Sequence, residues 1–119
     1  MGKAMSVTIY HNPRCSKSRE TLALIESKGV TPQVIDYLKT PPSASELKDV
    51  LRKLGLKPRD ILRTGEPLYR ELDLGRTELD DAALIELMVA NPILIERPIV
   101  VHGDRAALGR PPANVLEIL

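Results

Sequence analysis

Several things are scarce in this chain of 119 residues, and each scarcity excludes something. There is one cysteine, Cys15, so no internal disulfide can form. That usage suits a reducing compartment and points to the cytoplasm. There is no Trp and no Phe, and only three Tyr, so the core is expected to be aliphatic, built from Leu, Ile, Val and Ala. The same shortage argues against base-stacking platforms for single-stranded nucleic acid. Net charge is nearly absent: 17 basic against 16 acidic residues leave +1, which gives no electrostatic footprint for a nucleic-acid partner. No apolar run is long enough to span a bilayer and no signal-peptide pattern opens the chain, so a membrane partner is not expected. Low charge and the lack of an exposed apolar run make a monomer the expectation.

What is present reads as one α/β domain over residues 7–119, a length that supports a single modest core. Residues 1–6, MGKAMS, fit the loose N-myristoylation pattern but read more simply as a disordered start or a cloning remnant. Val7–Tyr10, VTIY, is a buried strand stopped by Asn12-Pro13. A helix is expected from about Ser16 to Lys28, with Gly29 at its C-terminal cap. A second strand lies in PQVIDYL, residues 32–38, which completes a βαβ unit and a parallel strand pair.

Pro41 and Pro42 then break the chain, and Ser43 with Glu46 has capping-box spacing ahead of Leu47, Val50, Leu51 and Leu54. That helix ends at Gly55. A helical turn is expected over 58–63 and a further helix from about Asp80 to Ala90, ended by Asn91-Pro92. Ile99–Val101, the Gly103-Asp104 turn and Arg105–Leu108 make a hairpin. Pro111 and Pro112 suit the first turn of a closing helix carrying Val115, Leu116 and Leu119. The predicted fold is α/β: a thioredoxin-like mixed four-stranded sheet with flanking helices and a helical insertion before the C-terminal hairpin.

Cys15 falls between the first strand and the first helix, in HNPRCSKSRE. Backbone N–H groups in a helix's first turn lack intrahelical partners, and the helix dipole is positive there. Both favour thiolate over thiol, as would cationic neighbours such as Arg14, Lys17, Arg19 and His11. A lone cysteine is commonly an inert buried hydrophobe. Such cysteines lie within apolar periodic runs, whereas this one sits in a polar, proline-bearing turn. Ser18 stands where a dithiol oxidoreductase carries its second Cys, so an oxidised Cys15 must pass on to an outside thiol such as glutathione. Ser18 is either a hydrogen-bond donor to the sulfur or an ordinary early-helix residue, and Asn12 is a further candidate for supporting the thiolate. A cysteine phosphatase loop needs Arg six residues after its Cys; Thr21 is there instead. Oxyanion donors must then come from distant segments, with Arg63, Arg97 and Arg110 as candidates. Arg97 stands out because Pro98 follows it at the start of a core strand, where a cis bond would be a specific feature.

At these residues the chain resembles the glutaredoxin-coupled arsenate reductase family of the thioredoxin fold. TIYHNPRC is similar to its active-site segment, NPILIERPIVV to a second signature and GRPPANVLEIL to a third. The resemblance runs from Val7 to Leu119. It implies that Cys15 is the nucleophile and forms a thiolate–arsenic adduct. It further implies that Arg63, Arg97 and Arg110 bind the arsenic oxyanion, and that His11 supports the thiolate. Glutathione, as thiol co-substrate, would form a mixed disulfide at Cys15 that glutaredoxin resolves. No bound cofactor and no metal are implied. Ser16-Lys17 replaces the Gly-Thr pair of the characterised reductases, and the chain stops at Leu119 without their C-terminal extension; both resemble a sister branch of the family. Two other readings remain open: a general glutathione-dependent thiol–disulfide oxidoreductase, and a regulatory thioredoxin-fold binding module. The regulators of that kind commonly carry a Cys-x-x-Cys switch, which Ser18 replaces here.

Overall fold

The computed structural model describes residues 6–75 and 78–119. The expectation of a disordered start at 1–6 therefore lies, Ser6 apart, outside the described residues. The chain gathers into two compact units, one of residues up to Thr40 together with Arg97–Leu119, the other Pro41–Glu96.

In the first unit the β-branched VTIYH run forms β1 (Val7–His11), and α1 (Ser16–Ser27) follows it. Gly29 lies just past the helix at φ +78°, a left-handed conformation that glycine adopts without steric cost. Its N–H donates to the Glu26 carbonyl at 3.0 Å, closing the end as the sequence predicts. Then come β2 (Gln33–Asp36), β3 (Ile99–His102) and β4 (Arg105–Leu108). The sheet order is β2-β1-β3-β4. β1 pairs parallel with β2 and antiparallel with β3, and β3 and β4 form the expected hairpin. This is the mixed, thioredoxin-like sheet that the pattern predicted.

Alternation along β1 sends Val7 and Ile9 to one face. There they meet Ile25 of α1, Val100 of β3, and Val115 and Ile118 of the C-terminal segment, all buried. That last segment is the expected closing helix, a 3-10 helix over Pro112–Glu117 with Pro at its start; Leu119 lies beyond its end. Aliphatic residues dominate the core as expected, but Tyr37 is also buried, at 1% exposure.

The second unit is mostly helical. Ser43 caps α2 (Ala44–Leu54) in a full capping box, Glu46 N–H donating to Ser43 Oγ at 3.0 Å and Ser43 N–H to Glu46 Oε1 at 2.9 Å. Gly55 ends the helix at φ +70°. Ser43→Ala should lower the stability of this unit by about 1 kcal/mol, read as a lower urea midpoint with an unchanged slope. The turn expected over 58–63 is a 3-10 helix at Pro58–Ile61. A short helix, α3 (Pro67–Glu71), was not foreseen. The helix expected over 80–90 is α4 (Asp81–Ala90), capped by Asp80, which accepts from Ala83 N–H at 2.8 Å. Leu62 and Ile95 form an isolated antiparallel bridge. Among the described residues no helix is long and apolar enough to cross a membrane.

Candidate active site

β1 ends at His11, and the next four residues are folded by their own backbone. Asn12 Oδ1 accepts the Arg14 N–H at 3.0 Å, and the Asn12 carbonyl accepts the Cys15 N–H at 3.0 Å. This is the turn chemistry that Asn-Pro favours. It delivers Cys15 as the N-cap of α1, with extended backbone at φ −95° and ψ 124°, and the Cys15 carbonyl takes the Arg19 N–H at 3.0 Å. The thiol is free and only partly exposed. It forms no close side-chain capping bond with the helix, yet the N–H groups around it act on its charge.

Burial is the largest single influence on Cys15 and pushes its pKa up. The Ser18 backbone N–H, the hydrogen bond and positive charge of the Arg97 guanidinium, and the Lys17 backbone N–H act against it. Together they outweigh burial, so the thiol is held below its ordinary pKa. Helix N–H groups and a guanidinium thus favour the anion, as expected of a nucleophilic thiol. The cation, however, is not one of the near neighbours named from the sequence. Lys17 reaches Glu20 at 3.7 Å, and Arg19 Nη1 donates to the Pro13 carbonyl at 2.9 Å. The guanidinium at the sulfur comes from Arg97.

Ser18 is placed differently from the sequence reading. Its backbone N–H serves the sulfur. Its hydroxyl is buried with the residue and lies 2.6 Å from His11 Nδ1, and it accepts the Asn12 N–H at 3.0 Å. The hydroxyl therefore braces the end of β1 against α1, rather than the thiolate directly. His11 is 7% exposed, and burial first, then the charge of Arg19, keep its pKa low against the raising effect of Asp36. His11 Nδ1 and the Ser18 hydroxyl share this hydrogen bond, with donor and acceptor set by the ring tautomer. Since the lowered pKa lies in the folded state, this contribution is complete above the ordinary histidine range and is lost as pH falls through the lowered value. Asn12 acts through the loop, by the bonds already given.

Arg97 precedes Pro98 in a cis peptide bond, the feature its position suggested, and Arg110–Pro111 is cis as well. The Arg97 guanidinium hydrogen-bonds both the Cys15 sulfur and the Tyr37 side chain. Sequence reasoning missed Tyr37; an aromatic at a strand end carries no local sign that a distant arginine is its partner. Arg110 is exposed, and its Nη1 donates to the Arg97 carbonyl at 3.1 Å. Arg110 thus joins the segment that carries Arg97. Arg63 belongs to the second unit, where its Nη1 meets Glu96 Oε1 at 2.7 Å and its Nη2 meets Glu66 Oε2 at 3.2 Å.

Gly109 lets this segment close. Its N–H donates to the Pro98 carbonyl at 2.9 Å, and a Cβ there would fall 2.5 Å from Thr21 Oγ1 and 2.7 Å from the Pro98 ring. Thr21 cannot yield easily, being fully buried and bonded to the Lys17 carbonyl at 2.7 Å. Gly109→Ala should cost about 2 kcal/mol by overpacking, seen as a lower thermal or urea midpoint.

A profile of the ArsC family matches residues 10–118. The uncharacterized protein YfgD of Escherichia coli K12 is 54% identical over 95% of this chain and 96% of its own length. A Haemophilus influenzae protein named arsenate reductase is 51% identical over 97% of this chain and 100% of its own. A solved structure, arsenate reductase from Vibrio cholerae, is 58% identical and superposes with a TM-score of 0.94, covering 98% of this chain and 100% of that one. A match from the end of β1 almost to the last residue, spanning the Cys15 loop and the Arg97 and Arg110 segments, shows that this chain belongs to the ArsC family.

Proposed function

We propose that the protein is an arsenate reductase that draws its electrons from glutathione and glutaredoxin. The observation that carries this reading is a single thiol, lowered in pKa at a helix N-terminus and hydrogen-bonded to Arg97, in a chain similar over its full length to proteins named arsenate reductase. The Cys15 thiolate attacks arsenic(V), and an arsenate oxygen leaves as water after taking protons. Arg97 and Arg110 hold the remaining oxygens through charge-assisted N–H donors. Arg63, which pairs with Glu66 and Glu96, is the third proposed ligand. A glutathione thiolate then attacks the Cys15 sulfur. The sulfur–arsenic bond breaks, its electron pair leaves with arsenic, and arsenite is released at the arsenic(III) level. The resulting Cys15–glutathione disulfide is opened by a glutaredoxin thiolate, which regenerates the Cys15 thiolate. The electrons come from thiols alone, and the reading places the protein in a reducing cytoplasm.

Purified protein with arsenate, glutathione, glutaredoxin and its reducing system should release arsenite, measured by arsenic speciation. A second reading is favoured by one observation: Cys15 has the lowered pKa that disulfide exchange also uses. In that reading the protein is a general glutathione-dependent thiol–disulfide oxidoreductase. Reduction of a glutathionylated test peptide, with no arsenite formed in the parallel assay, would select it.

A further inference from the structure

The buried phenol at the end of β2 has no role in the reading above. In the sheet order β2-β1-β3, the parallel β2 and β1 end on the same side as the antiparallel β3 begins. The register pairs His11 with Asp36 and Tyr10 with Ile99. Tyr37 thus leaves β2 just where the Cys15 loop leaves β1 and where Arg97-Pro98 leads into β3. Asp36 locks the turn that aims it: its carboxylate accepts the Leu38 N–H at 3.3 Å, and its carbonyl accepts those of Lys39 at 3.0 Å and Thr40 at 2.9 Å. Tyr37 itself is 1% exposed.

A phenol buried to that degree ordinarily has a hydrogen-bond partner, and here the partner is the Arg97 guanidinium, which also bonds the Cys15 sulfur. An arginine side chain has much rotamer freedom to lose, which a fixed acceptor removes in advance of binding. We propose that Tyr37 is a positioning residue of the active site: its buried hydroxyl holds the Arg97 guanidinium against the Cys15 sulfur, so that the cation is in place before an oxyanion arrives. A guanidinium has five N–H donors. Sulfur and phenol engage part of that set, which fixes how the group is turned.

The inference rests on Cys15 being the nucleophile of the proposed reaction, but its test does not require arsenate. Tyr37→Phe keeps the ring and removes only the hydroxyl. The pH dependence of Cys15 alkylation by iodoacetamide, followed by intact mass, should move up by about half a pH unit, a roughly threefold loss of thiolate below the midpoint. In an Arg97→Gln background, Tyr37→Phe should move the midpoint no further, since its effect passes through Arg97. An unchanged midpoint in the single variant, or equal shifts in both backgrounds, overturns the proposal. A structural role for the ring alone would leave the midpoint where it is. Should Tyr37→Phe fail to fold, the unaltered protein still decides: NMR should show hindered rotation of the Arg97 guanidinium, with separate Nη signals, and a freely rotating group overturns the proposal. A positive alkylation result with no arsenite release would leave Tyr37 in its role and reject arsenate as substrate.

Discussion

Cys15→Ser protein is expected to release no arsenite above the uncatalysed background and to form no glutathione adduct. The hydroxyl that replaces the thiol stays protonated at neutral pH, since the Ser18 and Lys17 N–H groups and Arg97 cannot bring an alcohol into range. The loss is also one of electron bookkeeping. A sulfur–arsenic bond can surrender its pair to arsenic when a second thiol attacks sulfur, whereas an oxygen–arsenic bond offers no such route. Cys15 is only partly buried, so folding should change by less than about 0.5 kcal/mol at neutral pH. A pH series adds a check on sign. Because the thiol pKa is lowered in the folded state, the thiolate's contacts stabilise the fold fully above the ordinary thiol range. That contribution is lost as pH falls through the lowered value. The urea midpoint of the natural protein should therefore rise relative to Cys15→Ser as pH climbs through that interval. Retained arsenite release by the serine variant would remove Cys15 from the chemistry.

Arg97→Gln should reduce arsenite release at neutral pH by roughly two orders of magnitude, the loss typical of removing one preorganised donor from a developing anion. Two effects contribute and can be separated. Without the guanidinium, burial opposes ionisation with less resistance, so the midpoint of Cys15 alkylation should rise toward the ordinary thiol range. Raising the pH restores thiolate and should recover that part of the rate. The part that stays lost at high pH measures what Arg97 does for the oxyanion, and it should appear in KM for arsenate as well as in kcat. An alkylation midpoint that does not move would show that the helix N-terminus alone ionises the thiol. Arg97→Lys tests geometry at constant charge, since an ammonium lacks the planar, directed N–H donors of a guanidinium.

The local features of this fold were the legible ones. Ser43 and Glu46 announced α2 because a capping box is a reciprocal bond between residues three apart, and Gly29 and Gly55 announced helix ends because both adopt positive φ. Cys15 was placed correctly from its turn, since Asn12-Pro13 dictates where β1 stops. What escaped was either short or distant. α3 spans only Pro67–Glu71, too brief to develop an apolar period. Pro111 and Pro112 announce a closing helix but not its type, and its six residues settle as 3-10. Ser18 was matched to the second position of a dithiol motif, which fixes its place in the helix but not where its hydroxyl turns. The decisive bonds run from Ser18 to His11 and from Arg97 to Tyr37, and no spacing rule in one sequence encodes a partner on another strand.

The direction in which β1 runs has a practical side. Val7, its first residue, pairs with His102 beyond the hairpin's start, and Ser6, Gly29, His102 and Leu119 line a shallow hollow at that end. The thiol loop leaves the strand at its other end, roughly 13 Å away at the rise of a β-strand. A dye, bead or electrode attached through residue 6 would therefore sit at the opposite end of β1 from the reactive sulfur. Such a tether would allow alkylation and thiol exchange to be followed on the surface-bound protein without rebuilding the chemistry it reports.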